Sequence, residues 1–260
     1  MNLRPPALVN LHNVRVMRGR TIALDDFSLT IDAAERVAIL GPNGCGKSTL
    51  IKTLTRECYP VCRDGSSITI LGREDWNVFE LRCLLGIVQN DLLSADPVSG
   101  RDVVLSGFFS SAGIFSNHIV NPAQRELADR ALARLEVLHL AERSVVEMSS
   151  GEAKRVLIAR ALVHQPKALL FDEPSNSLDV RTRQDLRQTI GRLVASGIGI
   201  ILVTHDLADI VPEITRVVLM SGGRVVADGP KNEMLEEGRL CQLFGTKVKV
   251  EKKNGCYHLW

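Results

Sequence analysis

The chain has 260 residues, 45% of them hydrophobic, enough to bury the core of one large domain or of a domain with a subdomain. Its 32 basic and 30 acidic residues leave a formal charge of +2, and aromatic residues make up 4%. That balance supplies neither a field that gathers nucleic acid nor a surface for base stacking, so no nucleic-acid partner is expected.

No stretch reaches the roughly 20 apolar residues of a membrane span, and the opening MNLRPPALVN lacks the apolar centre of a signal peptide. A soluble, cytoplasmic chain is expected. The six cysteines (Cys45, Cys58, Cys62, Cys83, Cys241, Cys256) show no paired metal spacing and read as reduced thiols.

In chain order, LVNLHNVRV (8–16) alternates as a strand. LTIDAAERVAIL (29–40) gives two apolar runs around an acidic turn, the second ending at a glycine-rich loop. STLIKTLTREC (48–58) then has helical spacing, and SSITILG (66–72) and LGIVQN (85–90) are further strands. From about 90 to 165 the pattern is helical, with RDVVLSGFF, PAQRELADRALARLEVLHLAE and SSGEAKRVLIARALVHQ as its segments. From 168 buried strand and helix alternate: ALLFDEP, RTRQDLRQTIGRLVASG, the strand and loop 199–206, then a helix ending near Val211. VVLMSGGRVVADG (217–229) is a hairpin turning at Gly222-Gly223, and KVKVEKKNGCYHLW (247–260) a second one turning at Asn254-Gly255. This order predicts an α/β fold with a mostly parallel sheet and helices on both faces.

GPNGCGKST (41–49) fits G-x-x-x-x-G-K-[ST] between a strand and a helix. In such a loop Gly41, Gly44 and Gly46, with Pro42, Asn43 and Cys45, let successive N–H groups converge on phosphates at the positive end of a helix. Lys47 can reach the β- and γ-phosphates, Ser48 can ligate magnesium, and Thr49 continues the motif. Cys45 is a small filler whose thiol a ring of N–H groups can acidify, and its alkylation is expected to block nucleotide binding. Asp172 and Glu173 end an apolar strand, where α/β sheets place ligands. Asp172 suits magnesium, held through water, and Glu173 suits orientation or deprotonation of the attacking water. His205 and Gln89 end strands in the same manner. His205 is a candidate for the γ-phosphate or the water, and Gln89 for magnesium or the water.

MSSGEAKRVLIARAL (148–162) resembles the signature motif of ATP-binding cassette (ABC) proteins, usually L-S-G-G-Q ahead of a basic, apolar helix. With the phosphate loop, Gln89, ALLFDEP, SNSLD (175–179) and His205, the family's motifs stand in its order over roughly residues 8–245. The resemblance implies a P-loop NTPase core with an antiparallel β subdomain. It also implies a helical signature subdomain at about 90–165, leaving residues 246–260 as a C-terminal hairpin extension. It further implies that ATP and Mg²⁺ are the cofactors, and that Ser149 and Gly151, with Glu152, contact a γ-phosphate held by the other subunit of a dimer. Ser149 and Glu152 also form S-x-x-E, a capping box at a helix start. Ser175 and Asp179 would line the dimer contact. Two departures stand out: Ser150 and Glu152 replace the usual Gly and Gln, crowding a close approach and adding a charge beside an anion. Where the family stacks an aromatic ring on adenine, this chain has VMRGR; Arg18 either stacks its guanidinium there or is solvated.

One phosphate loop and one signature motif make half of each composite site, so a second cassette, most simply another copy of this chain, is expected as partner. Integral membrane permease subunits are the other expected partners, which would hold the chain on the inner face of the membrane. Residues 90–118 would form the docking surface, with Phe108, Phe109, Ile114 and Phe115 either contacting the permease or packing internally. RCLLGIVQNDLL is more similar to importer cassettes for metal chelates or oxyanions than to exporters. The competing expectation is a soluble mechanical ATPase acting on a ribosome or nucleic-acid complex. Such proteins usually carry two cassettes or an inserted coiled coil, and neither occurs here.

Overall fold

The computed structural model describes residues 6–89, 97–109, 111, 114, 118–176, 178–253 and 255–260. Its strands and helices are, in chain order, β1 (Val9–Arg18), β2 (Thr21–Ile31), β3 (Arg36–Leu40), α1 (Lys47–Leu54), β4 (Ser67–Ile70), α2 (Val78–Leu84) and β5 (Leu85–Val88). There follow α3 (Gly100–Ser106), α4 (Pro122–Arg134), α5 (Ser150–Leu162), β6 (Ala168–Asp172), α6 (Val180–Ala195) and β7 (Gly199–Thr204). The chain ends with β8 (Arg216–Ser221), β9 (Arg224–Pro230), α7 (Lys231–Met234), α8 (Glu237–Phe244), β10 (Val250–Lys253) and β11 (Cys256–Leu259). It divides into two compact units, Met1–Val78 with Gly199–Trp260, and Phe79–Ile198.

The first unit holds two β layers. β1 lies between β2 and β4 in an antiparallel sheet, with Val9 opposite Ile31 and Ile70. Along β1 Val9 and Leu11, and then Val14 and Val16, are buried two apart; between the pairs an irregularity, with Asn13 left-handed (φ 49°), shifts the alternation by one residue. β3 runs parallel to both β7 and β8, pairing Ala38 with Leu202 and Val217, and β9 closes this edge antiparallel to β8. Strands flanked on both sides carry unbroken apolar runs, which is why VAIL and IILV are wholly buried. The β8–β9 hairpin turns at Gly222 and Gly223, with φ of 53° and 75° as a type I′ turn demands. β10 and β11 form the second predicted hairpin, with Lys253 opposite Cys256. Of its two turn residues Gly255 has φ 77°, and Asn254 lies outside the described residues.

In the second unit β5 and β6 run parallel, pairing Val88 with Phe171. Helices α3, α4 and α5 pack on one another. Packing is close enough that a Cβ on Gly86 would stand 2.5 Å from the Ala161 carbonyl oxygen, and one on Gly107 2.7 Å from that of Arg160. Arg160 is itself buried, donating to Ser106 Oγ (3.0 Å) and the Ser111 carbonyl (2.8 Å); burial pulls it down to about 10.

Several predicted boundaries move. The helix expected over 48–58 ends at Leu54, because Arg56 turns left-handed (φ 61°) while the Glu57 and Cys58 N–H groups double back on the Lys52 carbonyl. The long helix from 122 stops at Arg134, where Glu136 (φ 60°) and the bond from Val137 N to Leu132 O make a helix end without glycine. The helix expected before Val211 is only a 3-10 turn, Leu207–Asp209. Residues 21–28, read as no element, extend β2, and α2, α7 and α8 also went unanticipated.

Candidate active site

In the first unit the Leu40–Thr204 pair is the last in register between β3 and β7, so Gly41 and His205 leave neighbouring strand ends. Gly41 N–H donates to the Thr204 carbonyl at 3.3 Å. A Cβ on Gly41 would fall 2.3 Å from the Met220 carbonyl oxygen, and one on Gly46 (φ 109°) 2.6 Å from that of Ala23. The loop tolerates only glycine there because other backbone occupies the space. Asn43, Gly44 and Ser48 are exposed, whereas Cys45, Lys47 and Thr49 are buried. Gly46 caps α1 without a side chain, and the first turn carries no acidic residue. The Lys47 ammonium donates to the carbonyls of Gly41 (2.8 Å) and Pro42 (3.1 Å), curling back over its own loop. A buried cation beside an uncapped helix start fits a polyanion.

Cys45 is buried, as a small filler is. Burial pushes its thiol up, and the Lys47 charge and backbone N–H groups only partly oppose that. Desolvation of a thiolate outweighs the loop's donors, so the ring of N–H groups does not acidify this thiol.

His205 is half-buried at the start of a braced turn: Thr204 Oγ donates to Asp209 Oδ2 (2.6 Å), and Asp206 Oδ1 accepts from Ala208 N (2.8 Å). Arg18 is exposed and donates to Cys58 Sγ at 3.4 Å. The exposed Tyr59 follows Cys58 directly.

In the second unit Gln89 and Asp172 each stand one residue past the Val88–Phe171 pair, so the two candidates share adjacent strand ends. Glu173 takes φ 42°, a left-handed conformation unusual for a residue with a side chain. Its Oε2 accepts from Asn176 Nδ2 at 2.6 Å. Among the described residues no group of three or more His, Cys, Asp or Glu could hold a metal. The one carboxylate Asp172 beside the Gln89 amide at adjacent strand ends is a pair that suits Mg²⁺, which keeps several waters and takes one or two carboxylates together with substrate phosphates.

The signature segment forms the capping box that S-x-x-E predicts. Ser149 Oγ accepts from Glu152 N (3.3 Å), while Glu152 Oε2 accepts from Ser149 N and from Ser149 Oγ–H, both at 2.8 Å. Those two Ser149 donors hold the Glu152 carboxyl below its ordinary value. Ser149 and Ser150 are exposed. A Cβ on Gly151 would stand 2.7 Å from Thr182 Cγ2. Thr182 in turn donates its N–H (2.8 Å) and hydroxyl (3.1 Å) to Asp179, the N-cap of α6. Gly151 is therefore needed for packing within its own chain, and Asp179 has a local structural role. Ser175 is buried. Thr182 and Asn176 were not picked out from sequence, because their contacts depend on how the turn after β6 folds.

Phe108 meets His164 edge-on (5.1 Å between rings) and Phe109 stacks on His118 (4.1 Å). Both phenylalanines are half-buried, as is Ile114, while Phe115 and residues 90–96 lie outside the described residues.

A phosphate loop between a parallel strand and a helix, with acidic and polar residues at the strand ends, defines a nucleotide-binding α/β ATPase. Residues 24–176 match the model of the ABC transporter family. The chain is 31% identical over 259 residues, 96% of its own length and 92% of the relative's, to the hemin import ATP-binding protein HmuV of Bradyrhizobium diazoefficiens. Among solved structures it superposes on cbiO1 of Clostridium perfringens, part of the cbiONQ transporter complex, with TM-score 0.75 and 29% identity over 91% of this chain and 94% of that one. A dimeric ATP-binding cassette bound to ADP and Pi gives TM-score 0.68 and 26% identity, over 85% and 98%. The chain belongs to the ABC transporter family. It is an importer-type ATPase subunit whose hydrolysis of ATP is coupled to transport.

Proposed function

We propose that this chain binds Mg-ATP, hydrolyses it in a head-to-tail dimer, and energises uptake of a metal chelate or oxyanion through separate membrane subunits. In this reading the backbone of residues 41–46, Lys47 and Thr49 hold the phosphates. Ser48, Asp172 and Gln89 hold Mg²⁺, which would neutralise charge on the transferring phosphoryl group. Glu173 accepts the proton of the attacking water, and His205 orients that water against the γ-phosphate. Ser149, Gly151 and Glu152 of the second protomer face the same triphosphate, and Ser175 and Asp179 line the contact.

The observation that carries the nucleotide role is the start of α1: a glycine cap with no side-chain bond, beside a buried lysine. The dimeric, ADP-bound relative supports the pairing. For cargo, the support is likeness along nearly the whole chain to a protein named for hemin import, hemin being a metal chelate. Among the described residues no helix is long and apolar enough to cross a membrane, so in this reading the pathway belongs to the permease. The permease holds the chain on the cytoplasmic face of the membrane, with Phe108, Phe109 and Ile114 near the contact and residues 90–118 as its wider surface.

The Glu173→Gln variant tests the catalytic part: it should form an ATP-dependent dimer that does not turn over. Co-isolation of the tagged wild-type chain with integral membrane subunits tests the transport part. Recovery from membranes without any such subunit would count against it.

A further inference from the structure

We infer that Asn176 is a positioning residue for ATP hydrolysis, fixing the direction of the Glu173 carboxylate; the inference rests on Glu173 being the base. Two independent features of the turn after β6 point there. Glu173 is held at φ 42°, a conformation that costs free energy in any residue with a Cβ and persists only where its surroundings impose it. Asn176 supplies that hold twice, its N–H donating to the Glu173 carbonyl at 3.2 Å and its Nδ2 to the Glu173 carboxylate at 2.6 Å.

An amide is chemically suited to the task. Its N–H₂ donates to an ionised carboxylate, yet it has no site that competes for the proton taken from water. A general base works only when aimed within hydrogen-bond reach of that proton, and small errors of aim are costly. Asn176 is exposed, so the bond does not exist to satisfy a polar group trapped in the core. Pro174 and Ser175, between the two residues, are buried and anchor the turn.

The test is Asn176→Asp, nearly isosteric and equally able to form the turn, but without the donor and with a second negative charge beside Glu173. Steady-state hydrolysis should show kcat lower by about tenfold or more with KM for Mg-ATP within about twofold. Asn176→Ala, which removes the donor without adding charge, should also lower kcat at constant KM. It carries the test if the Asp variant fails to fold. In a Glu173→Gln background neither change should lower the residual rate further. Wild-type kcat in both variants, with Glu173→Gln inactive, would overturn the role of Asn176 alone. Wild-type turnover by Glu173→Gln would instead remove the base assignment beneath it.

Discussion

Helices α1 and α5 both follow nucleotide-type motifs, and they begin in opposite ways. α1 starts from Gly46 with no side-chain cap and no acid in its first turn. α5 starts from Ser149 inside a complete capping box, its donors answered by its own chain and a carboxylate placed on top of them. The first is built to receive an anion directly. The second must exchange a partner before Ser149 can donate to one, since its hydroxyl already donates to Glu152 at 2.8 Å. In the proposed dimer, a glutamate where the family usually has glutamine adds a negative charge to that exchange. In that reading the cost of the exchange falls on dimer formation rather than on nucleotide capture.

This contrast can be broken most severely at the chemistry. Glu173→Gln should cut hydrolysis by about 100-fold or more while nucleotide still binds; residual turnover near the wild-type rate in a phosphate-release assay would contradict the division of roles. Next comes Lys47→Ala, which removes the buried cation from the receptive half. Affinity for ATP, measured by titration calorimetry, should fall by about tenfold or more, and unchanged binding would show that the loop does not depend on its lysine. Gly41→Ala probes the same half through sterics. With Met220 O at 2.3 Å from the new Cβ, it should cost about 1–3 kcal/mol, seen as a lower Tm.

Glu152→Gln sharpens the comparison from the other side. Glutamine preserves the capping box but removes the charge, so ATP should dimerise the Glu173→Gln protein at a concentration lowered by roughly three- to tenfold, on the order of 1 kcal/mol. No shift would mean the glutamate does not gate Ser149. The smallest effect concerns pH. The folded-state carboxyl of Glu152 lies below its ordinary value, so its contribution to stability is present above the unfolded value and is lost as pH falls through the folded one. Solvent screens this surface pair. The Tm difference between wild type and Glu152→Gln should be small near neutrality and shrink further toward pH 3; a difference that grows on acidification would contradict the sign.

What could be read from sequence was what local chemistry determines. The phosphate loop depends on glycines and a lysine at fixed spacing, the capping box on two residues three apart, and the strand ends at Asp172 and His205 on short apolar runs. What escaped depends on tertiary placement. Glu136 ends a helix in a left-handed conformation with no glycine to announce it, and Thr21–Ser28 joins β2 although its two aspartates interrupt the apolar pattern. For Cys45 the motif displays the N–H groups around the thiol, while burial depth, which governs it, is not written in nine residues. Gly151 looked like a phosphate contact, and the structure adds a packing reason in Thr182 that sequence does not reveal.

A crystal structure of the Glu173→Gln protein with Mg-ATP tests the central claim most directly. The account predicts a two-fold dimer in which Lys47 of one protomer and Ser149 of its partner contact the γ-phosphate of one nucleotide, the Ser149 hydroxyl having left Glu152. Nucleotide held by Lys47 with Ser149 still bonded to Glu152 and no second protomer across it, at saturating ATP, would contradict it.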